Sequence, residues 1–397
     1  MGSTKRPASS KRAAPPRACD YTKAFLKDWE RLSRSGRYDL NRLKQVMLLL
    51  IAGDAPLGAE WLDHPLRGDW ADHRECHVGG DFLLIYRLEG KTILFVRAGT
   101  HSELFEEGLE LDLTPGAGAY TAAPRMIDGG YDIAYGDVNS LIEEAARRPD
   151  AAPQGVYMMF NASPSCVAVA ADGPLRQPQH LLGRSLVGHD SDVALRTFGA
   201  LCLHHNLDRR SVRVGSAWAG MAGMVEQVLA GQADGAFGYV STFTGALVSA
   251  DPALLNRVRF LTFAEFAPDL YGSVLMASRR LLREQPAAVS ALVRALNRGV
   301  QDLLRSPQAG MDALAQVSPG VDRRAEQARL KATLDLEMNP ALPAAARRLP
   351  LGEVDEARLA RSIALMAKAN QLPRVPGVAE VFTAAYLPPV AERARPV

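Results

Sequence analysis

Four of the eight histidines crowd into one stretch, at His64, His73, His77 and His101. Asp81 and Arg97 lie among them. Imidazole takes and gives protons near neutral pH. RNA carries its own nucleophile, the 2′-hydroxyl. A base for that hydroxyl, an acid for the leaving 5′-oxygen and a cation at the phosphate complete a cleavage site without metal. His64, His77, Asp81 and His101 are the catalytic candidates, with Arg97 as the cation. The spacing of the histidines contains neither H-x-x-x-H nor H-E-x-x-H, the helical zinc patterns. On residue types alone, surface histidines or a metal site stay open as alternatives.

The surrounding pattern dictates what must position these groups. Tyr21, Phe25, Leu26 and Trp29 recur at helical spacing. Ser33 to Gly36 breaks that pattern, and a second helix is predicted over Asp39–Ile51 with Leu40, Leu43, Val46, Met47 and Leu50 inward. The stretch from Trp61 to Arg74 reads as loop and contains His64. The period then changes to two. Strands are predicted at Glu75–Val78, Asp81–Leu88 and Thr92–Arg97, with turns at Gly79-Gly80 and Glu89-Gly90. Residues 21–105 thus form an α+β unit, two helices followed by an antiparallel meander. Pairing across the first turn brings Asp81 towards His77, and the third strand carries His101 to the same end.

The runs Asp63-His64-Pro65-Leu66-Arg67-Gly68-Asp69-Trp70, Arg74-Glu75-Cys76-His77-Val78, Asp81-Phe82-Leu83-Leu84-Ile85-Tyr86 and Arg97 through Phe105 resemble YafQ-type toxins of the RelE family. The resemblance covers residues 21–105 in order and without gaps. It implies a microbial-RNase fold, cleavage of mRNA on the translating ribosome, and a RelB/DinJ-type antitoxin as partner. It implies catalytic or substrate-positioning roles for His64, His77, Asp81 and His101. Arg97 falls at a basic position near the phosphate, and Phe105 at a terminal aromatic that helps hold the RNA. Phe82 stands where the family also uses tryptophan. No cofactor is implied.

Composition bounds the rest. A chain of 397 residues exceeds one ordinary core. No uncharged apolar run approaches the ~18 residues that span a bilayer, so membrane insertion is not expected. A net charge of +2 is too small to argue for nucleic acid by itself. Cys19, Cys76, Cys166 and Cys202 form no C-x-x-C pair and suggest reduced thiols. Residues 1–20 hold Lys5, Arg6, Lys11, Arg12 and Arg17 without a following apolar region. They read as a disordered basic tail rather than a secretory signal, and the expected location is the cytoplasm.

After Phe105 the composition shifts to Ala, Gly, Leu and Val. Strands are predicted at Leu109–Leu113, Ile133–Tyr135, Val156–Phe160, Cys166–Ala170, Ser185–Gly188, Val212–Gly215, Gly235–Tyr239 and Val274–Ala277. Helices are predicted at Asp190–His204, Met221–Ala230, Pro286–Leu304 and Asp355–Asn370. That alternation predicts an α/β unit with mostly parallel sheets. Glycine-rich joints occur at Thr114–Tyr120, Gly188–Ser191 and Gly231–Tyr239, where backbone N–H groups can face a ligand. Ordinary α/β turns use such glycines too.

The segments EEGLELDLTPGAGA (106–119), GGYDIAYGDVNSLI (129–142), LLGRSLVGHDSDVALRTF (181–198) and VLAGQADGAFGYVST (228–242) resemble the SsuA/THI5 (NMT1-like) solute-binding proteins of ABC importers. The resemblance implies a periplasmic-binding-protein type II-like pair of lobes over residues 106–397. They would close on a small ligand such as a sulfonate, a nitrate-like anion or a pyrimidine precursor. Gly118, Ala119, Asp137, Asn139, Asp190 and Tyr239 would face the cleft. The two aspartates suit an amine-bearing ligand. The sequence enters the family near its second strand, so one lobe is expected to lack its first. Three readings follow: a ribosome-dependent RNase toxin fused to a solute-binding-like unit, an ABC-transporter substrate-binding protein, or a fusion without function.

Overall fold

The computed structural model describes residues 16–35, 38–53, 56–66, 70–79, 82–100, 111–318, 320–338 and 349–395. Two compact units divide between Glu110 and Leu111. Among the described residues no helix is long and apolar enough to cross a membrane.

The first unit places helices α1 (Lys23–Ser35) and α2 (Leu40–Ala52) beside a five-stranded sheet. Its strands are β1 (Ala18–Tyr21), β2 (His64–Pro65), β3 (Arg74–Gly79), β4 (Phe82–Glu89) and β5 (Thr92–Thr100), in the order β1-β5-β4-β3-β2. The predicted meander is β3–β4–β5, antiparallel throughout. Two strands were not expected. Ala18–Tyr21, assigned mostly to the tail, pairs parallel with β5. His64–Pro65, assigned to a loop, pairs antiparallel with β3. Residues 1–15 lie outside the described residues. Arg17 donates to the Leu50 carbonyl at 2.6 Å, which ties the chain's entry to α2.

Local chemistry sets the helix starts. The Thr22 hydroxyl accepts from Phe25 N at 3.0 Å and donates to the Val96 carbonyl at 2.6 Å, anchoring α1 to β5. Asp39 accepts from Asn41 N and Arg42 N, both at 3.0 Å, and so caps α2. Phe25 and Leu32 of α1 and Leu43, Val46, Met47 and Leu50 of α2 pack on Cys76, Val78, Leu84, Tyr86 and Phe95. The inner face of α1 differs from the prediction: Tyr21 precedes the helix and Leu26 is exposed, while Asp28 is buried. The sheet's other face carries a smaller apolar patch, Leu83, Ile85 and Val96, with Leu66 and Trp70 packed on it.

The second unit contains two sheets. One holds β6 (Ile133–Asp137), β13 (Ser273–Ala277) and β7 (Gln154–Met158), in that order. The other runs β10 (Arg213–Ser216), β9 (Ser185–Gly188), β11 (Gly235–Tyr239), β8 (Ser165–Ala170), β12 (Val258–Thr262). The chain crosses between them twice, from β7 to β8 and from β12 to β13. A strand arriving from the other lobe runs against its new neighbours. Thus β13 is antiparallel to β6 and β7, and β8 is antiparallel to β11 and β12. Among the described strands of this unit, the parallel pairings are β9 with β10 and β9 with β11. The expectation of mostly parallel sheets is therefore corrected.

The first lobe is also shorter than expected. Of the predicted strand Leu109–Leu113, residues 109 and 110 lie outside the described residues, and 111–113 are irregular. Leu111 is 47% and Leu113 83% exposed. A strand needs a neighbour for its backbone groups. The sheet of β6, β13 and β7 offers this segment no pairing among the described residues. Both crossings are gripped by the helix Glu356–Ala369, whose buried Arg358 donates to the carbonyls of Asn161, Pro268 and Leu270.

Candidate functional sites

Strand β3 sorts its side chains by the period of two. Cys76 and Val78 enter the core beneath the helices. Glu75 and His77 alternate with them, so they stand on the opposite face. His64 pairs with Glu75 across β2–β3, and the His64 and His77 rings lie 6.3 Å apart. Two of the predicted catalytic residues are thus brought together on the face away from the helices. A bulge in the β3–β4 pairing sets His77 opposite Leu83 and Gly79 opposite Phe82. Phe82 and Thr100, chain neighbours of Asp81 and His101, pair with each other. Asp81, His101 and Phe105 themselves lie outside the described residues.

The frame around His64 is fixed at three successive residues. Leu62 adopts a left-handed conformation, φ 47°, which a branched side chain rarely takes. Its carbonyl faces Nδ1 of His64 at 2.8 Å. Asp63 receives Arg74 Nη2 at 2.7 Å and the Tyr86 hydroxyl at 2.9 Å. Burial and the Asp63 charge push the Tyr86 phenol up, so it stays a donor. On the far side, Nε2 of His64 lies 3.0 Å from Oε1 of buried Glu75. Burial likewise pushes the Cys76 thiol up and keeps it inert.

Arg97 is engaged more firmly than a free phosphate clamp. Its Nε lies 2.6 Å and its Nη2 3.3 Å from the carboxylate of Asp28, which also accepts from Ala98 N at 3.2 Å. Glu75 and Asp28 were not singled out from sequence. The signals existed: Glu75 precedes His77 by one strand period, and Asp28 lies on the helical face between Phe25 and Leu32.

In the second unit the six predicted ligand residues fall in different surroundings. Gly118 has φ 108°, open mainly to glycine, and a Cβ there would lie 4.0 Å from the Ser191 hydroxyl. Ala119 opens the turn Ala119–Thr121 before the helix Ala122–Ile127. Ser191 belongs to the second lobe, so these loops face each other. Asp137 ends β6 and caps the helix Val138–Arg147. Its Oδ1 accepts from both the backbone N and the side-chain Nδ2 of Asn139, each at 2.9 Å. Nδ2 of Asn139 also donates to the Tyr271 carbonyl. Both residues are fully buried. Among the described residues, Oδ2 of Asp137 and Oδ1 of Asn139 have no hydrogen-bond partner. Burial pushes the Asp137 carboxyl up to about 7. Tyr239 ends β11 opposite Ser165. Asp190 accepts from the Ser216 hydroxyl at 3.2 Å. It borders a cavity of about 510 Å³ with Glu143, Arg147, Arg196, Arg209 and Asn370.

Comparisons with known proteins divide the chain at nearly the same place. A family of bacterial toxins of type II toxin–antitoxin systems, YafQ, matches residues 17–106. The NMT1/THI5-like family matches residues 104–310. The mRNA interferase toxin YafQ of Escherichia coli K12 is 43% identical over 89 residues, 22% of this chain and 96% of that protein. The E. coli DinJ–YafQ toxin–antitoxin complex contains a chain 41% identical, with 23% of this chain and 98% of that one covered and a TM-score of 0.22. A periplasmic sulfonate-binding protein SsuA from Methylobacillus flagellatus KT is 13% identical. It covers 72% of this chain and 83% of its own, with a TM-score of 0.52, a likeness of fold. The chain belongs to the YafQ toxin family through its first unit and to the NMT1/THI5-like family through its second.

Proposed function

We propose that the first unit is an endoribonuclease that cuts mRNA on the translating ribosome and is held in check by a RelB/DinJ-type antitoxin. The observation that carries this reading is the pair of histidine rings on one open sheet face, backed by buried Glu75, in a unit 43% identical to an mRNA interferase. In this reading His64, His77, Asp81 and His101 share the acid–base work, and Arg97 and Phe105 hold the RNA. The 2′-hydroxyl supplies the nucleophile, so the reaction needs no metal. Induced expression of the full chain, and of residues 15–105, is the test. Growth arrest and translation-dependent mRNA cuts are expected, and both should be lost in the double variant His64→Ala, His77→Ala. Abundant soluble protein without arrest or cuts refutes the reading.

The buried acceptors of the second unit favour a companion reading, a receptor for a small ligand rich in N–H donors. Oδ1 of Asn139 only accepts, and Oδ2 of Asp137 does so once its carboxyl is ionised. A bare sulfonate would bring further acceptors to them. Calorimetry of the full chain with putrescine and with methanesulfonate separates the two chemistries. Heat from the diamine alone supports the reading, and heat from the sulfonate alone overturns it.

A further inference from the structure

Whatever His64 does to RNA depends on which ring nitrogen carries hydrogen. The ring has an oxygen on each side. Nδ1 lies 2.8 Å from the Leu62 carbonyl. A carbonyl only accepts, so Nδ1 bears a hydrogen. Nε2 lies 3.0 Å from Oε1 of Glu75. A ring with its one hydrogen on Nδ1 would set the Nε2 lone pair against a carboxylate oxygen, and the two repel. A proton between them turns that contact into a charge-assisted attraction. The Glu75 side chain is 5% exposed, so water screens it little, while the ring is 50% exposed and open to a substrate. The carbonyl on the other side cannot easily turn away. Leu62 is held left-handed and Asp63 is clamped by Arg74 and Tyr86.

We propose that Glu75 is a positioning residue that keeps a transferable proton on Nε2 of His64, which makes His64 the acid of the cleavage. The proposal rests on the RNA-cutting reading of this unit. The step balances. The 2′-oxygen gives its proton to a base and forms a bond to phosphorus. The bond from phosphorus to the 5′-oxygen breaks, and the 5′-oxygen keeps the electron pair and takes the Nε2 proton. A 2′,3′-cyclic phosphate and a 5′-hydroxyl result. Nε2 then faces the carboxylate with a bare lone pair and recovers a proton from solvent.

The experiment uses the full chain and mRNA whose cleaved linkage carries either the normal 5′-oxygen or a bridging sulfur. A thiolate leaves without being protonated, so the sulfur linkage needs no acid. Glu75→Gln removes the negative charge that holds the proton on Nε2, because a neutral amide can face the ring with either its oxygen or its NH2. It should slow kcat on the oxygen linkage by about 10²-fold or more, the usual size of an acid's contribution, yet stay within about threefold of wild type on sulfur. His64→Ala should show the same split, and Glu75→Asp should recover part of the loss. Equal losses on both linkages overturn the proposal. Ring ¹⁵N shifts of the histidine-labelled full chain give a second readout that does not require a folded variant. Nε2 of His64 should show a bound proton in wild type, and a bare Nε2 there overturns the proposal. A wild-type chain that cuts neither linkage sinks the RNA reading instead, and the ring shifts still decide the proton.

Discussion

Replacing Arg97 by alanine should destabilise the first unit, whatever it does to phosphate binding. The Asp28 side chain is 7% exposed and Arg97's is 26%. Two guanidinium nitrogens hold the carboxylate, at 2.6 and 3.3 Å. Without them Asp28 keeps Ala98 N at 3.2 Å and the outer Arg31 at 3.4 Å. Removing one partner of a buried pair costs about 3–5 kcal/mol. Those remaining contacts argue for the lower end, about 3 kcal/mol. In a unit of this size each kcal/mol lowers Tm by about 4–8 °C, so a fall of about 12–24 °C follows. Asp28→Ala should cost less, about 1–2 kcal/mol, because Arg97 can turn towards water. The double variant should be more stable than Arg97→Ala alone, since no buried charge is stranded. A coupling of about 2 kcal/mol is expected from the cycle. Tryptophan fluorescence in guanidinium chloride reads this unit, because Trp29, Trp61 and Trp70 lie in it and Trp218 is 96% exposed. If Arg97→Ala unfolds at the wild-type denaturant concentration while RNA cleavage falls, the structural argument is refuted and Arg97 acts on the phosphate alone.

Two further outcomes follow for the second unit. The Asp137 carboxyl titrates near 7 when folded and ~3.9 when unfolded, so folding is easiest with it neutral. Its contribution is whole below pH ~4, declines as pH rises and is lost above about pH 7, a swing of up to about 4 kcal/mol. Asp137→Asn should flatten that decline and raise the far-UV circular dichroism Tm at pH 8, and an unchanged pH profile would show the group is not so buried. Arg358→Met should cost about 3 kcal/mol of stability and lower the same Tm, because the carbonyls of Asn161, Pro268 and Leu270 lose their donor. Retention of wild-type stability would mean water replaces the guanidinium.

How far the fold was legible turns on whether its cause is local. Helix α2 could be read because its cap, Asp39, and its inward face, Leu43, Val46, Met47 and Leu50, lie within one segment. Strands split differently. Leu109–Leu113 alternates well, yet its described residues form no strand because no neighbour pairs with them. Ala18–Tyr21 has all four residues exposed and no alternation, yet it pairs with β5 over its whole length. Val258–Thr262 is faint in the sequence for a similar reason: Arg259 and a single Phe-Leu pair give little pattern, while β8 supplies the ladder. Pattern proposes a strand, but backbone pairing across the chain decides it.

The candidate site divides along the same line. His64 and His77 could be found because reactive side chains advertise themselves by type. The residues that hold them could not be placed by spacing. Asp28 meets Arg97 across 69 positions, and Arg358 meets Asn161 across 197. Yet each of these sits where the local period reserves a place for an apolar side chain. Asp28 shares the inner face of α1 with Phe25 and Leu32, and Arg358 is buried one residue before Leu359, itself fully buried. A charge in such a place is costly unless something answers it. Its presence on a core-facing position is therefore itself evidence of a distant partner, readable before the partner is known. Glu75 escapes that rule: it alternates with Cys76 and Val78 at a polar position of β3, and only the fold shows it 4% exposed beside His64.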